Sequence, residues 1–121
     1  MLNRHYSDIP VKDLSSMPGV KGATARLLIA RADGAPHFSM RMFELSEGGN
    51  TPRHSHEHEH LVYILEGEGE LLCAGDTSPI AAGHSVFVPP HDEHQFRNTG
   101  NSPLRFLCLV PNGDGVKDGL K

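Results

Sequence analysis

The chain has 121 residues, a length that suits one domain. Hydrophobic residues make up 37% of it, enough for a globular core, yet the longest apolar run, residues 61–65, falls far short of the ~20 residues a membrane-crossing helix needs. The formal charge of −4 comes with basic residues that are scattered, so neither a nucleic-acid partner nor a membrane is expected. The opening MLNRHYSDIP contains no apolar segment of the kind that exports a protein, and a cytoplasmic location is the expectation.

The first 22 residues read as an N-terminal arm, in which Val11 to Met17 has room for one helical turn before Pro18-Gly19. From residue 23 onward the pattern is short strands between turn residues. ATARLLIARADG ends in the Asp33-Gly34 turn signal, and HFSMRMFELSEGGN alternates until Gly48-Gly49-Asn50. HLVYILEGEGELLCAGD reads as two strands around a Glu66-Gly67 turn. SPIAAG, HSVFVPP, HQFRNTG and LRFLCLVP follow. Strands at spacings of roughly 8–12 residues with Gly and Pro turns predict an all-β sandwich or barrel, with its core over about 23–111 and a frayed polar tail at 112–121. Cys73 and Cys108 sit in apolar runs and read as reduced thiols packed as small hydrophobes.

Histidine is the outlier. The chain carries nine, and seven of them fall between His54 and His94. In HSHEHEH, residues 54–60, every second residue is a histidine, so a strand would present His54, His56, His58 and His60 on one face. At ~3.3 Å per residue, His54 and His60 would then stand ~20 Å apart, whereas one zinc ion binds nitrogen at ~2.0–2.1 Å. A single-ion site therefore requires a bend near Glu57 to Glu59. The competing reading is a tract that scavenges several ions without help from His94.

Residues 48–67, GGNTPRHSHEHEHLVYILEG, resemble the first motif of the cupin family: glycine, five residues, His-x-His, three or four residues, glutamate, six residues, glycine. Gly48, His54, His56, position 60 and Gly67 are in register, with His60 in place of the glutamate. Residues 83–98, GHSVFVPPHDEHQFRN, resemble the second motif, matching it at Gly83, Pro89, His94 and Asn98, with His91 where glycine is usual. The two motifs are separated by 15 residues, and the resemblance covers residues 37–110. It is to a small single-domain cupin of the conserved-barrel type.

That resemblance implies a double-stranded β-helix, the jelly-roll barrel, as a single domain over 1–121. Carried over position by position, it implies metal ligands at His54, His56, His60 and His94, a four-histidine variant found in some small bacterial cupins, and a homodimer. Glu59 or His58 are substitutes for His60, and His58 is otherwise expected exposed on the turn. His91 either occupies a left-handed turn or acts over the cavity as a proton carrier. His5, His37 and His84 read as surface or structural residues. Parity places Val62, Ile64 and Phe96 on the inward side as a substrate pocket, while Arg41 and Arg97 read either as carboxylate binders or as ordinary surface charges.

Imidazole donors suit one divalent transition metal per chain, whether Fe, Mn, Ni, Cu or Zn. Replacing a carboxylate by His60 makes the centre more cationic and favours a chelating, oxygen-rich ligand. The expected function is metal-dependent catalysis, dioxygenase-like or lyase-like, on a small oxygenated organic molecule. The alternatives are a non-catalytic metal or small-molecule binding module and a sugar isomerase or epimerase.

Overall fold

The computed structural model describes residues 1–112; the expectation for the tail beyond Asn112 lies outside them. Nine strands form one curled antiparallel sheet: β1 (Lys12–Asp13), β2 (Lys21–Ile29), β3 (Phe38–Asn50), β4 (His60–Glu66), β5 (Glu68–Cys73), β6 (Asp76–Ala81), β7 (Ser85–Val88), β8 (His94–Arg97) and β9 (Leu104–Pro111). The order is β6-β5-β8-β3-β9-β4-β7, with β2 attached to β3 and β1 to β2. This is the expected all-β double-stranded β-helix. β6 contains Pro79 and lies at the sheet edge, where a residue without an N–H leaves no ladder bond unmade. No described helix is long and apolar enough to cross a membrane.

The core follows strand parity. β9 alternates buried and half-buried residues along its whole length, and Leu104, Phe106, Cys108 and Val110 enter one cluster with Leu45, Val62, Ile64, Leu71, Val88 and Phe96. Each aliphatic or aromatic side chain fully buried there contributes roughly 1.5–3 kcal/mol. Phe106 stacks between Phe43 and Phe96. The Glu66-Gly67 turn depends on its glycine: Gly67 has φ +85°, and an added Cβ would collide with the Pro103 carbonyl. Asn98 is buried; its Nδ2 donates towards Leu45 O, Ser46 O and Ser102 O, and its Oδ1 accepts from Gly100 N.

The arm differs from the expectation. Instead of a helical turn at Val11–Met17, β1 pairs Lys12 with Ala25 and Asp13 with Thr24, and a pair of tight turns follows, closed by Met17 N to Leu14 O and Val20 N to Met17 O. Leu14 is drawn into the core. Tertiary burial of one leucine and pairing to an exposed strand outweigh the weak preference of an isolated turn for helix.

Candidate metal centre

HSHEHEH is not a strand. Only His54 makes a bridge, to His94, the chain bends at Glu57 and His58, and β4 begins at His60. The bend removes the ~20 Å separation that a straight strand would impose. Ring centroids lie 4.2 Å apart for His54 and His56, 4.9 Å for His54 and His94, 5.3 Å for His56 and His60, and 4.8 Å for His60 and His94. Possible ligand atoms of His54, His56 and His94 lie within 4.8 Å of one another, and so do those of His56, His58 and His60. Ligands on one ion at ~2.1 Å are at most ~4.2 Å apart, so either triad would have to draw inward to hold an ion.

The donor atoms are suitably left open. His94 Nδ1 stands 2.9 Å from Asp92 O. A carbonyl only accepts, so Nδ1 carries the proton and Nε2 keeps its lone pair. His60 Nε2 is buried and has no hydrogen-bond partner, an orphan that an ion would satisfy. Both residues are about 95% buried. Burial, followed by the neighbouring imidazoles, pushes His54 and His56 from 6.5 down to about 4. Burial, His94 and Arg41 push His60 down to about 2. Burial also lowers His94, against the opposing effect of the Asp92 carbonyl. The rings are neutral at pH 7, as ligation requires, and an all-imidazole donor set fits a divalent transition ion.

The rings open on a cavity of about 60 Å³, walled by Leu14, Met17, Phe43, Phe96, Phe106 and Cys108 besides the histidines and Arg41. Phe96 lines it, as parity predicted; Val62 and Ile64 also point inward but are packed within the core and are not on that wall. His91 has φ +69° and is exposed, off the cavity wall, with its N–H donated to His56 O at 2.6 Å. His58 differs from the expectation of an exposed turn residue: it is half-buried and stacks on His56 at 4.8 Å. Glu57 and Glu59 are exposed. Arg97 pairs with Glu70.

Arg41, expected either as a carboxylate binder or as a surface charge, and Cys108, expected only as a packed thiol, both line the cavity. Arg41 is only 6% exposed and faces the cavity, with NH2 3.0 Å from Cys108 Sγ and 3.4 Å from His60 Nδ1. Its guanidinium carbon is 5.1 Å from the Phe43 ring centroid. Cys108 Sγ lies 3.3 Å from His60 Nδ1. Parity with buried Leu45 was the available signal for Arg41, and parity with Phe106 for Cys108. Arg41 and Cys108 are direct partners across β3 and β9, a pairing that composition does not reveal.

Comparison with known proteins places this architecture. The chain is 34% identical over 108 residues to an oxalate-binding protein of Thermotoga maritima, covering 86% of this chain and 88% of that one. It is similar to the polyketide cyclase RemF of Streptomyces resistomycificus, with TM-score 0.84 and 36% identity over 92% of this chain and 79% of that one. It is also similar to an L-ectoine synthase of Vibrio parahaemolyticus, 33% identical over 73 residues, which are 60% of this chain and 57% of the synthase. Several other curated relatives are longer proteins of which the match spans 46–65%. The model of the cupin domain matches residues 41–110. That match takes in both histidine motifs and the strands that carry them, and this protein belongs to the cupin family.

Proposed function

We propose that this cupin binds one divalent transition metal through His54, His56, His60 and His94 and acts on a small, oxygen-rich, anionic organic molecule. The observation that carries the reading is the convergence of these rings, with a buried and unpartnered His60 Nε2 among them, beside the cationic Arg41. The bound ion would supply Lewis acidity, polarising an oxygen of the ligand. The chain's own residues do the rest. Arg41 offers a charge-assisted donor to a carboxylate or enolate oxygen. Phe96, Phe43 and Phe106 exclude water and strengthen that attraction. His91 takes the left-handed turn, where its backbone N–H holds His56 in place.

The reaction class is dioxygenase-like or lyase-like turnover. A second reading, reversible binding without turnover, is favoured by the name of the Thermotoga maritima oxalate-binding relative. The proposal includes a homodimer through the outer face of β4 and β7, where Leu61, Tyr63, Leu65 and Phe87 are 41–57% exposed, and a soluble setting without nucleic acid or membrane.

The test is elemental analysis of untagged protein, wild type and His94→Ala. About one iron, manganese, nickel, copper or zinc per chain, lost in the variant, supports the centre and leads to an oxygen-uptake screen with small dicarbonyls. Several ions per chain, unaffected by the substitution, would mean that the tract itself is the binder.

A further inference from the structure

His60 is held by its second nitrogen in an unusual way. A metal-ligating histidine ordinarily donates its other N–H to a carboxylate, a carbonyl or water. His94 conforms, through Asp92 O. The groups facing His60 Nδ1 are instead the Arg41 guanidinium at 3.4 Å and the Cys108 sulfur at 3.3 Å. They make opposite demands. Arginine has only donors, so a bond from Arg41 to Nδ1 would force the proton onto Nε2 and remove its lone pair. Sulfur can accept, so a bond from Nδ1–H to Cys108 Sγ leaves Nε2 free to ligate.

The local geometry favours the second arrangement. Of the two contacts made by Arg41 Nη2, the one to Cys108 Sγ, at 3.0 Å, is shorter than the one to the imidazole at 3.4 Å, so sulfur is the preferred acceptor. The register makes this reproducible: Cys108 pairs with Arg41 of β3 on one side and with Val62 of β4 on the other, which sets His60, two residues before Val62, diagonally against the sulfur. A proton on Nε2 would moreover be a buried donor without an acceptor, an arrangement native proteins avoid.

We infer that Cys108 is a positioning residue: its sulfur accepts from both Arg41 and His60, holds His60 as the Nδ1–H tautomer, and so keeps Nε2 available to the metal. Cys108 thereby takes the place of the usual oxygen acceptor, and Arg41 prevents the sulfur from rotating away. The inference rests on the four-histidine reading for its consequence, but the tautomer is a property of the metal-free protein and can be measured there.

The experiment is long-range ¹H–¹⁵N correlation NMR of the metal-free, ¹⁵N-histidine-labelled full chain, with His60 assigned by its loss in His60→Asn, on wild type, Cys108→Ala and Cys108→Ser. Wild type and Cys108→Ser are expected to show Nδ1–H at His60. Cys108→Ala is expected to move to Nε2–H, because Arg41 then becomes the nearest group. Metal titration of the same three proteins should give about 10–100-fold weaker binding for the alanine variant only. An Nε2–H tautomer in wild type, or a tautomer and affinity unchanged in Cys108→Ala, overturns the inference. Equal loss in the serine and alanine variants also overturns it, since serine keeps an acceptor. A wild type that takes up no ion would defeat the metal reading, while the tautomer would still decide the role of Cys108.

Discussion

The main chains of His54 and His94 are bonded in both directions, His54 N to His94 O at 3.1 Å and His94 N to His54 O at 2.9 Å. Residues 40 apart in sequence are thus locked as an antiparallel pair, which sets their rings 4.9 Å apart. The link works without either side chain, so the placement of the two donors survives loss of a ring. Alanine at either position should abolish ligation and leave the turn in place. Secondary structure by circular dichroism unchanged from wild type in His54→Ala would check this, and collapse of the β signal would contradict it.

Acid should weaken the metal-free protein. His54 and His56 have folded pKa values near 4 and His60 near 2, below the ordinary 6.5. Between pH 6.5 and about 4 the unfolded chain therefore binds protons that the folded chain does not, and stability falls as pH falls through that window. The contribution of these groups levels off above pH 6.5, where both states are neutral. Urea midpoints at pH 7.5, 6 and 5 should decrease in that order. A midpoint that rises on acidification, in the presence of a chelator, would contradict the burial of these rings.

Arg41→Gln tests the ligand site at saturating metal. Arg41 faces the cavity, and a hydrogen bond to a charged group contributes about 1.5–3 kcal/mol, or roughly 10–150-fold in affinity. With oxalate as the probe, any binding to the protein saturated with metal, followed by calorimetry, should weaken by that factor. Unaltered oxalate affinity would remove Arg41 from the ligand site.

Asn98→Ala should be costly although Asn98 touches no ligand. The substitution removes the bonds to three carbonyls and the Gly100 N–H, of which the one to Leu45 O is buried. A loss of roughly 2–4 kcal/mol in unfolding free energy is expected, read by urea denaturation at pH 7.5. A loss below ~1 kcal/mol would mean that solvent replaces those bonds.

The outer face of β4 and β7 predicts the assembly. Tyr63, 47% exposed, lies beside Leu61 and Leu65 on one strand, and Leu61 is paired with Phe87 on the next. Tyr63→Lys should convert a dimer to a monomer in light scattering at tens of micromolar, through an unpaired charge in an apolar contact. A wild type that is already monomeric, or a dimer indifferent to this substitution, would place the interface elsewhere or nowhere.

Much of this protein was legible along the chain because strands report locally. Alternation in HFSMRMFELSEGGN and the short apolar runs in HLVYILEG and LRFLCLVP, with Gly and Pro between strands, mark the β elements, and the resemblance to two motifs singles out His54, His56, His60 and His94. Bond lengths required a bend in HSHEHEH for any site that holds a single ion. The sequence could not disclose partners brought together by register. Arg41 reads equally as a carboxylate binder or a surface charge until β3 and β9 pair it with Cys108. Cys108 reads as core packing until β4 brings His60 Nδ1 to its sulfur, and His58 reads as exposed until the turn stacks it on His56. Residue type and spacing determined which groups can do the chemistry; strand pairing across 48 and 67 residues decided which groups stand against His60 Nδ1.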